Sequence, residues 1–497
     1  MFIGKTKNSS LIIFRLIPAM VMVCLSGCVT VGPDYKVPQT SVGNTWRNAL
    51  KSDQATNNAE PQSLTVWWTL FDDPLLNNLM DRAVKGNLDL KKAQARVREA
   101  RARRGAAEGG LYPSLDASGT GSRSRSSEET GTGKTMELYR VGFDALWEVD
   151  IFGGLRRNVE AAEATLQAYR ESQRDVLVTL LAEVAVNYLD LRTYQSRLSN
   201  TEKNLQSQKV TYQLTLWRHQ AGLLDELAVQ QARYTLENIR AQIPVLKTRL
   251  EESLNRLAVL VGEKPGELHQ EMDKWKTVKI PPIELAIGVP ADLLRRRPDI
   301  RKAERELAAQ TARIGIAESD LYPKLKLNGS IGLEALGLSN LFSLGSRTLS
   351  GGLGITWPIF HAGIIRQNIE IQSALQEQAL LAYEAAILKA QEETENALKA
   401  YAEEHVRYTT LLETVSAAER VLNLTRDKFE AGLVDFNQVL EAQSALWSFQ
   451  DQIAVSRGNL CSFLVRLYKT LGGGWESWAL EGEKEKRNIF TIGKNLS

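Results

Sequence analysis

The pentapeptide Leu111-Tyr112-Pro113-Ser114-Leu115 returns as Leu321-Tyr322-Pro323-Lys324-Leu325, 210 positions further along a chain of 497 residues. The same displacement carries Asp89 to Asp299, Ala93 to Ala303, Gly105 to Gly315, Trp147 to Trp357 and Ala221-Gly222-Leu223 to Ala431-Gly432-Leu433, and it takes Leu471-Gly472 back to Val261-Gly262. Register held over that distance marks an internal duplication, so the chain is read as one supersecondary unit used twice. Each copy reads helix, strand hairpin, very long helix, return helix. The copies span 87–262 and 291–472, with β-hairpins at 113–149 and 323–360 and long helical hairpins at 154–261 and 363–471.

The long helices follow from an absence. Residues 155–221 and 364–431 contain neither glycine nor proline, runs of 67 and 68 residues. As helices they extend about 100 Å each. Leu177, Val184, Leu191, Leu198, Leu205 and Tyr212 recur every seven residues, and Ile387, Thr394, Tyr401, Tyr408, Val415 and Leu422 form the equivalent column. A sustained heptad predicts coiled-coil packing against neighbouring helices. Taken alone, these segments fit a soluble helical rod equally well.

Each long helix is preceded by alternating stretches. In the second copy Leu325, Leu327, Ile331 and Leu333 interleave with Lys326, Asn328, Ser330 and Gly332, and Leu349, Leu353, Ile355, Trp357 and Ile359 interleave with Ser350, Gly352, Gly354 and Thr356. In the first copy Tyr139, Val141, Phe143, Ala145 and Trp147 alternate with Arg140, Gly142, Asp144 and Glu148, and 114–123 is a weaker, Ser- and Gly-rich partner. Period two with one apolar face fits a half-buried soluble hairpin and a membrane-barrel hairpin alike. Strands of about ten residues, as a bilayer requires, favour the barrel. So do Tyr112, Trp147, Tyr322 and Trp357, which sit at the strand ends nearest the helices, where interfacial aromatics belong. The opposite strand ends are joined by 124–136 and 335–347, read here as polar loops outside the cell. Polar side chains such as Arg140, Asp144, Lys324 and Lys326 would line the lumen. Four strands cannot close a membrane barrel, since the smallest single-chain examples have about eight and open sheet edges are not tolerated in lipid. The chain must therefore oligomerise; three copies would supply twelve strands, and two or four satisfy the same argument.

The amino terminus also points to the envelope. Residues 1–27 read as a signal peptide, with Lys5, Lys7 and Arg15 ahead of an apolar run at 16–25 that is too short to span a bilayer. Leu25-Ser26-Gly27-Cys28 resembles the lipobox of bacterial lipoproteins, which implies that Cys28 becomes the acylated first residue; an ordinary secretory signal with an incidental cysteine is the plainer alternative. Each buried methylene of an attached chain contributes about 0.8 kcal/mol, and stable anchoring takes two such chains. In those lipoproteins an Asp after the cysteine favours the inner membrane; Val29 stands here, which favours the outer.

Composition excludes several classes. Removing Lys5, Lys7 and Arg15 from the 61 basic residues leaves 58 against 59 acidic ones, so no nucleic-acid partner is implied. The three cysteines, Cys24, Cys28 and Cys461, build no disulfide framework, and Cys461 reads as a packed thiol. Gly133-Lys134-Thr135 ends like a phosphate loop, but the glycine required five residues earlier is Glu128. His219, His269, His361 and His405 lack metal-ligand spacing. No catalytic constellation, metal site or cofactor is expected.

Three stretches carry a family resemblance across nearly all of the mature chain. They are Val31-Gly32-Pro33-Asp34-Tyr35-Lys36-Val37-Pro38, Trp67-Trp68-Thr69-Leu70-Phe71-Asp72-Asp73-Pro74-Leu75, and Leu294-Arg295-Arg296-Arg297-Pro298-Asp299-Ile300-Arg301 with Ala303-Glu304. The sequence resembles the TolC-type outer-membrane efflux channels, in their OprM-like (NodT-type) lipoprotein subfamily. That resemblance implies an α+β membrane protein: a homotrimer with a twelve-stranded transmembrane β-barrel, a long periplasmic α-helical barrel and a mixed equatorial domain. The equatorial belt would draw on an anchored segment at 28–86, a linker at 263–290 and a tail at 473–497. The implied partners are outer-membrane lipid, a periplasmic adaptor of the membrane-fusion type and an inner-membrane pump, RND-type or other. The implied role is the exit duct of an efflux or type I secretion system, passive because the pump selects the cargo.

The long helices reverse at Ala221-Gly222-Leu223-Leu224-Asp225 and Ala431-Gly432-Leu433-Val434-Asp435. Glycine permits the positive φ of a reversal, and Asp can cap the helix that follows. A plain turn accounts for these residues; the family adds that the tips, Ala221, Gly222, Leu223, Asp225, Ala431, Gly432 and Leu433, contact the adaptor. Nine residues after the tip glycine the first copy has Gln231 and the second Glu441, where the family usually has an Asp at the narrowest point of the closed entrance. By that resemblance Glu441, with Gln438 and Asp435, forms the periplasmic constriction, and three close carboxylates would make it sensitive to pH and cations. A solvated helix-face glutamate is the alternative. A lipid-tethered periplasmic coiled-coil protein remains the rival reading of the whole chain, and it leaves the apolar columns of the strands unexplained.

Overall fold

The structure is a computed structural model and describes residues 30–39, 45–48, 62–273, 278–281, 296–476 and 478. The signal peptide, Cys28, most of the tail and part of the linker lie outside the described residues. A short turn of 3-10 helix at Trp67–Phe71 buries Trp67, Trp68 and Phe71. The first long helix, α1 (Pro74–Gly86), starts where local chemistry dictates: the Leu75 amide donates to Asp73 Oδ1 at 3.2 Å, and Pro74 has no amide hydrogen to leave unpaired. Then follow α2 (Leu88–Gly109), β1 (Ser114–Arg125), β2 (Thr135–Val149), α3 (Gly154–Gln220) and α4 (Glu226–Val261). The second copy supplies α5 (Pro298–Ser319), β3 (Lys324–Ala335), β4 (Arg347–Thr356), α6 (Ile364–Glu430) and α7 (Phe436–Thr470).

The bounds of α2 and α5, of β1 and β3, and of α3 and α6 are displaced by the same 210 residues as the sequence. So are the positive-φ glycines Gly153 and Gly363, Gly222 and Gly432, Gly262 and Gly472. The strands form one antiparallel sheet in the order β1-β2-β3-β4. Strand β4 ends at Thr356, ahead of Pro358, so Trp357 and Ile359 lie past the last ladder pair rather than within it. The segment 335–347 also departs from the polar loop expected. Two 3-10 turns, Leu338–Asn340 and Leu344–Ser346, bury Leu341 and leave Leu336, Leu338, Phe342 and Leu344 exposed.

Two compact units cut across the repeat. One comprises Met1–Gln39, Arg96–Arg170 and Lys302–Glu384, and so holds the sheet and the amino-terminal strap. The other comprises Thr40–Ala95, Glu171–Arg301 and Ala385–Ser497. Its core gathers Trp67, stacked on Tyr468 at 5.8 Å, with Leu76, Leu79, Met80, Leu181, Leu191 and Leu257. A buried polar chain crosses it: the Tyr188 hydroxyl donates to Asp73 Oδ2 at 2.6 Å, and Arg192 Nε donates to that hydroxyl at 3.0 Å. The pairing satisfies groups that would otherwise be costly to bury. Among the described residues no helix is long and apolar enough to cross a membrane.

Candidate functional site

Ladder register decides what the sheet presents. Ser114 stands opposite Leu146, Tyr139 opposite Ala335 and Lys324 opposite Thr356, so residues of like parity face each other across all four strands. Because side chains alternate along a strand, every odd-numbered strand residue lies on one face and every even-numbered one on the other. The odd face carries Leu115, Val141, Phe143, Trp147, Leu325, Leu327, Ile331, Leu349, Leu353 and Ile355, most of them exposed. The even face carries Asp116, Ser118, Arg140, Asp144, Glu148, Lys324, Lys326, Asn328, Ser330 and Glu334, with Met136, Leu138 and Leu146 as apolar exceptions. Charges on the even face are largely paired: Arg140 with Glu334 at 2.6 Å, Lys324 with Asp320 at 2.7 Å and Lys326 with Glu148 at 3.8 Å. Asp116 and Asp144 are direct cross-strand partners, and Ser118 Oγ donates to Asp144 at 2.8 Å.

The aromatic residues expected at the strand ends are stapled there. Trp147 Nε1 donates to the Leu111 carbonyl at 3.0 Å, and Trp357 Nε1 donates to the Leu321 carbonyl at the same distance. Tyr112 and Tyr322 are both exposed, and Tyr322 also stacks on Phe152 at 4.7 Å, a partner that sequence reading missed. Tyr139 marks the opposite end of the odd face. It lies eight residues from Trp147 along β2, about 26 Å of strand. The alternation contained this residue, and the register sets it between Gly121 and Ala335 at the loop end of the sheet.

Both helical tips end in a Schellman arrangement. The Leu223 amide donates to Arg218 O at 2.9 Å and that of Gly222 to His219 O at 2.8 Å; the Leu433 amide donates to Lys428 O at 2.9 Å and that of Gly432 to Phe429 O at 3.0 Å. Gly222 and Gly432 have φ of 73° and 74°, and Ala221, Leu223, Asp225, Ala431 and Leu433 are exposed around them. Below the tips Leu422, Phe436, Val439, Leu440 and Ala232 pack together, and the Arg218 guanidinium sits 4.8 Å above the Phe429 ring. Asp435, Gln438 and Glu441 are all exposed and lie three apart, one stripe of the helix turned away from buried Phe436, Val439, Leu440 and Gln443. Asp225 caps its helix by accepting from the Ala228 amide at 3.0 Å; Asp435 makes no such bond.

The stretches that carried the resemblance turn out to be clamps. The Val31 amide donates to Phe152 O at 3.1 Å. Buried Arg157 donates to Val31 O and Gly32 O, both at 3.1 Å, and to Asp34 Oδ1 at 2.8 Å. A Cβ on Gly32 would stand 2.4 Å from Gly315 Cα, so only glycine fits the strap. The Tyr35 hydroxyl donates to Glu304 at 3.1 Å. Arg297, also buried, pairs with Asp299 and Glu393, both at 2.7 Å, and donates to Thr470 O at 3.0 Å. Cys461 is 1% exposed, and burial pushes its thiol up to about 12, which keeps it protonated and unreactive. Among the described residues no group of three or more His, Cys, Asp or Glu is placed to hold a metal.

Comparison with known proteins reproduces this duplication. The family model described as outer membrane efflux protein matches residues 79–263 and again 289–473. The chain is 31% identical over 464 residues to nodulation protein T of Rhizobium leguminosarum bv. trifolii, covering 92% of this chain and 97% of that one. It is also 31% identical to the solvent efflux pump outer membrane protein SrpC of Pseudomonas putida, covering 93% and 98%. Among solved structures the outer-membrane channel OprN superposes with a TM-score of 0.85 at 33% identity, covering 90% of this chain and 99% of that one. Two family matches displaced by the interval that separates the strands, the long helices and the tips identify the chain as a member of the outer membrane efflux protein family.

Proposed function

We propose that three chains assemble into one exit duct, each giving four strands to a twelve-stranded barrel in the outer membrane and its long helices to a periplasmic tube. The observation that carries this is the sorting of the sheet into an apolar odd face and a polar even face while β1 and β4 each keep one edge unpaired among the described residues. Unpaired edges are not tolerated in lipid, and with four strands per chain β4 of one copy meets β1 of the next antiparallel, so the meander continues through the junction. The apolar face then meets lipid and the polar face water. Cys28 would carry the acyl chains, and the Arg157 clamp would fix Val31 and Gly32 in the strap that follows it. Tips at Gly222 and Gly432 would receive a periplasmic adaptor, and an inner-membrane pump would deliver the cargo, as the name of the Pseudomonas putida relative supports. Three Glu441 side chains, with Gln438 and Asp435 on the same stripe, would narrow the entrance. The duct conducts and has no catalytic role.

Purified protein is expected to stay with membranes through carbonate washing, to run as a heat-modifiable oligomer and to pass ion current in planar bilayers; a deacylated chain that is monomeric, water-soluble and silent would overturn the reading. Glu441→Ala should raise single-channel conductance and weaken cation block. Unchanged values on both counts would remove the constriction from this residue.

A further inference from the structure

Charge on the two faces of the sheet is distributed differently. On the odd face the half nearest the helices, with Leu115, Trp147, Val149, Leu325 and Ile355, has no charged residue. Among the strand residues, the loop end of the same face carries Arg123, Arg125 and Arg347 against a single acid, Glu137. These arginines are weakly committed: Arg123 lies 3.5 Å from Glu137 and Arg125 lies 3.6 Å from Glu128, with their side chains 74% and 69% exposed. Arg125 Nε also donates to Gly133 O at 3.2 Å. Arg347 is exposed, its ladder partner is Leu333, and no ion pair to it occurs among the described residues. A guanidinium on a lipid-facing surface is tolerated only near the interface, and it binds phosphate bidentately.

Two of these arginines are on β1 and the third is on β4, the two outer strands of the sheet. Resting on the barrel proposed above, we propose that each junction between copies brings Arg123 and Arg125 of one chain beside Arg347 of the next, forming an outward basic cleft for the phosphate groups of anionic lipids at the loop end. Tyr139, whose hydroxyl lies 3.4 Å from Glu137 on the same face, gives the cleft an aromatic floor suited to the acyl-headgroup boundary. The cleft is incomplete in one chain, because its cations come from opposite edges of the sheet.

The test uses the full-length oligomer in detergent, titrated with the bisphosphorylated glycolipid lipid A and followed by native mass spectrometry. Wild type should retain up to three lipids per trimer, more tightly than phosphatidylcholine, and inorganic phosphate should not displace them. Arg123→Gln/Arg125→Gln/Arg347→Gln should weaken retention at least tenfold, while Arg140→Gln, on the opposite face, leaves it unchanged. Glu137→Gln, which removes the one acid among the strand residues at that end of the face, should tighten retention and needs no loss of folding to be read. If the triple variant inserts into phosphatidylcholine vesicles as a heat-modifiable oligomer yet keeps lipid A within twofold of wild type, or if Glu137→Gln leaves retention unchanged, the lipid cleft is wrong and the barrel stands. If wild type neither oligomerises nor inserts, the barrel fails and the cleft fails with it.

Discussion

In the first copy of the repeat Asn87 donates through Nδ2 to the carbonyl oxygen of Leu260 at 3.0 Å; 210 residues later Arg297 donates through Nη1 to the carbonyl oxygen of Thr470 at the same distance. Both side chains are buried, and both satisfy the carbonyl of an equivalent residue at the end of a return helix. The first copy does this with a neutral amide that also accepts from the Leu90 amide at 2.9 Å. The second uses a cation, which must then be balanced by Asp299 and Glu393. The backbone requirement is therefore inherited by both copies, and the side-chain chemistry that meets it is free to differ.

The difference should be measurable. Arg297→Ala leaves two carboxylates, each about a third exposed, and a half-buried carbonyl without their donor, and should lower stability by about 2–4 kcal/mol once water screening of the carboxylates is allowed for. Asn87→Ala loses only hydrogen bonds and should cost about 1–3 kcal/mol. Thermal unfolding followed by circular dichroism in detergent ranks the two; equal losses would mean that the charge in the second copy adds nothing to the constraint.

The tips test the opposite expectation, that the copies behave alike. Neither Gly222 nor Gly432 has any atom within 4 Å of an added Cβ, so substitution by Ala meets the backbone cost alone. That cost is about 1–2 kcal/mol in the left-handed region. Hydrogen exchange at the Leu223 and Leu433 amides should accelerate about tenfold in Gly222→Ala and Gly432→Ala respectively, in step with that cost. A tip that tolerated Ala while the other did not would show that the two reversals are held by different contacts.

The smallest contrast lies one turn further. Asp225→Ala removes a cap bond to Ala228 and should cost about 1 kcal/mol, whereas Asp435→Ala removes none and should stay within about 0.5 kcal/mol. Local exchange rates at the first turns of α4 and α7 separate the two. Matching effects would place a capping role on Asp435 and weaken its assignment to the entrance.

Much of this molecule was readable from spacing alone. Trp147 and Trp357, the hairpins and the tip glycines Gly222 and Gly432 follow from intervals along the chain, because strand and helix periods of 2.0 and 3.6 and the turn preference of glycine are properties of the local backbone. The three family stretches were visible too, but not their purpose. Nothing within Val31-Gly32-Pro33-Asp34-Tyr35 says that Arg157 will hold it, or that Tyr35 will reach Glu304 across 269 positions of sequence. Arg297 read as one of three consecutive arginines, and only its burial against Glu393 and Thr470 sets it apart.

The duplication, the strand alternation, the long helices and the two reversals are legible in the chain alone, the first as repeated sequence and the others as products of local backbone period and turn chemistry. It took the folded sheet to show that odd residues of all four strands share a face, that Asp116 meets Asp144, and that the arginines of β1 and β4 gather at one end. Ladder register is a relation between strands as far apart as 114 and 356, and a shift of one residue would have turned every side chain of a strand to the other face.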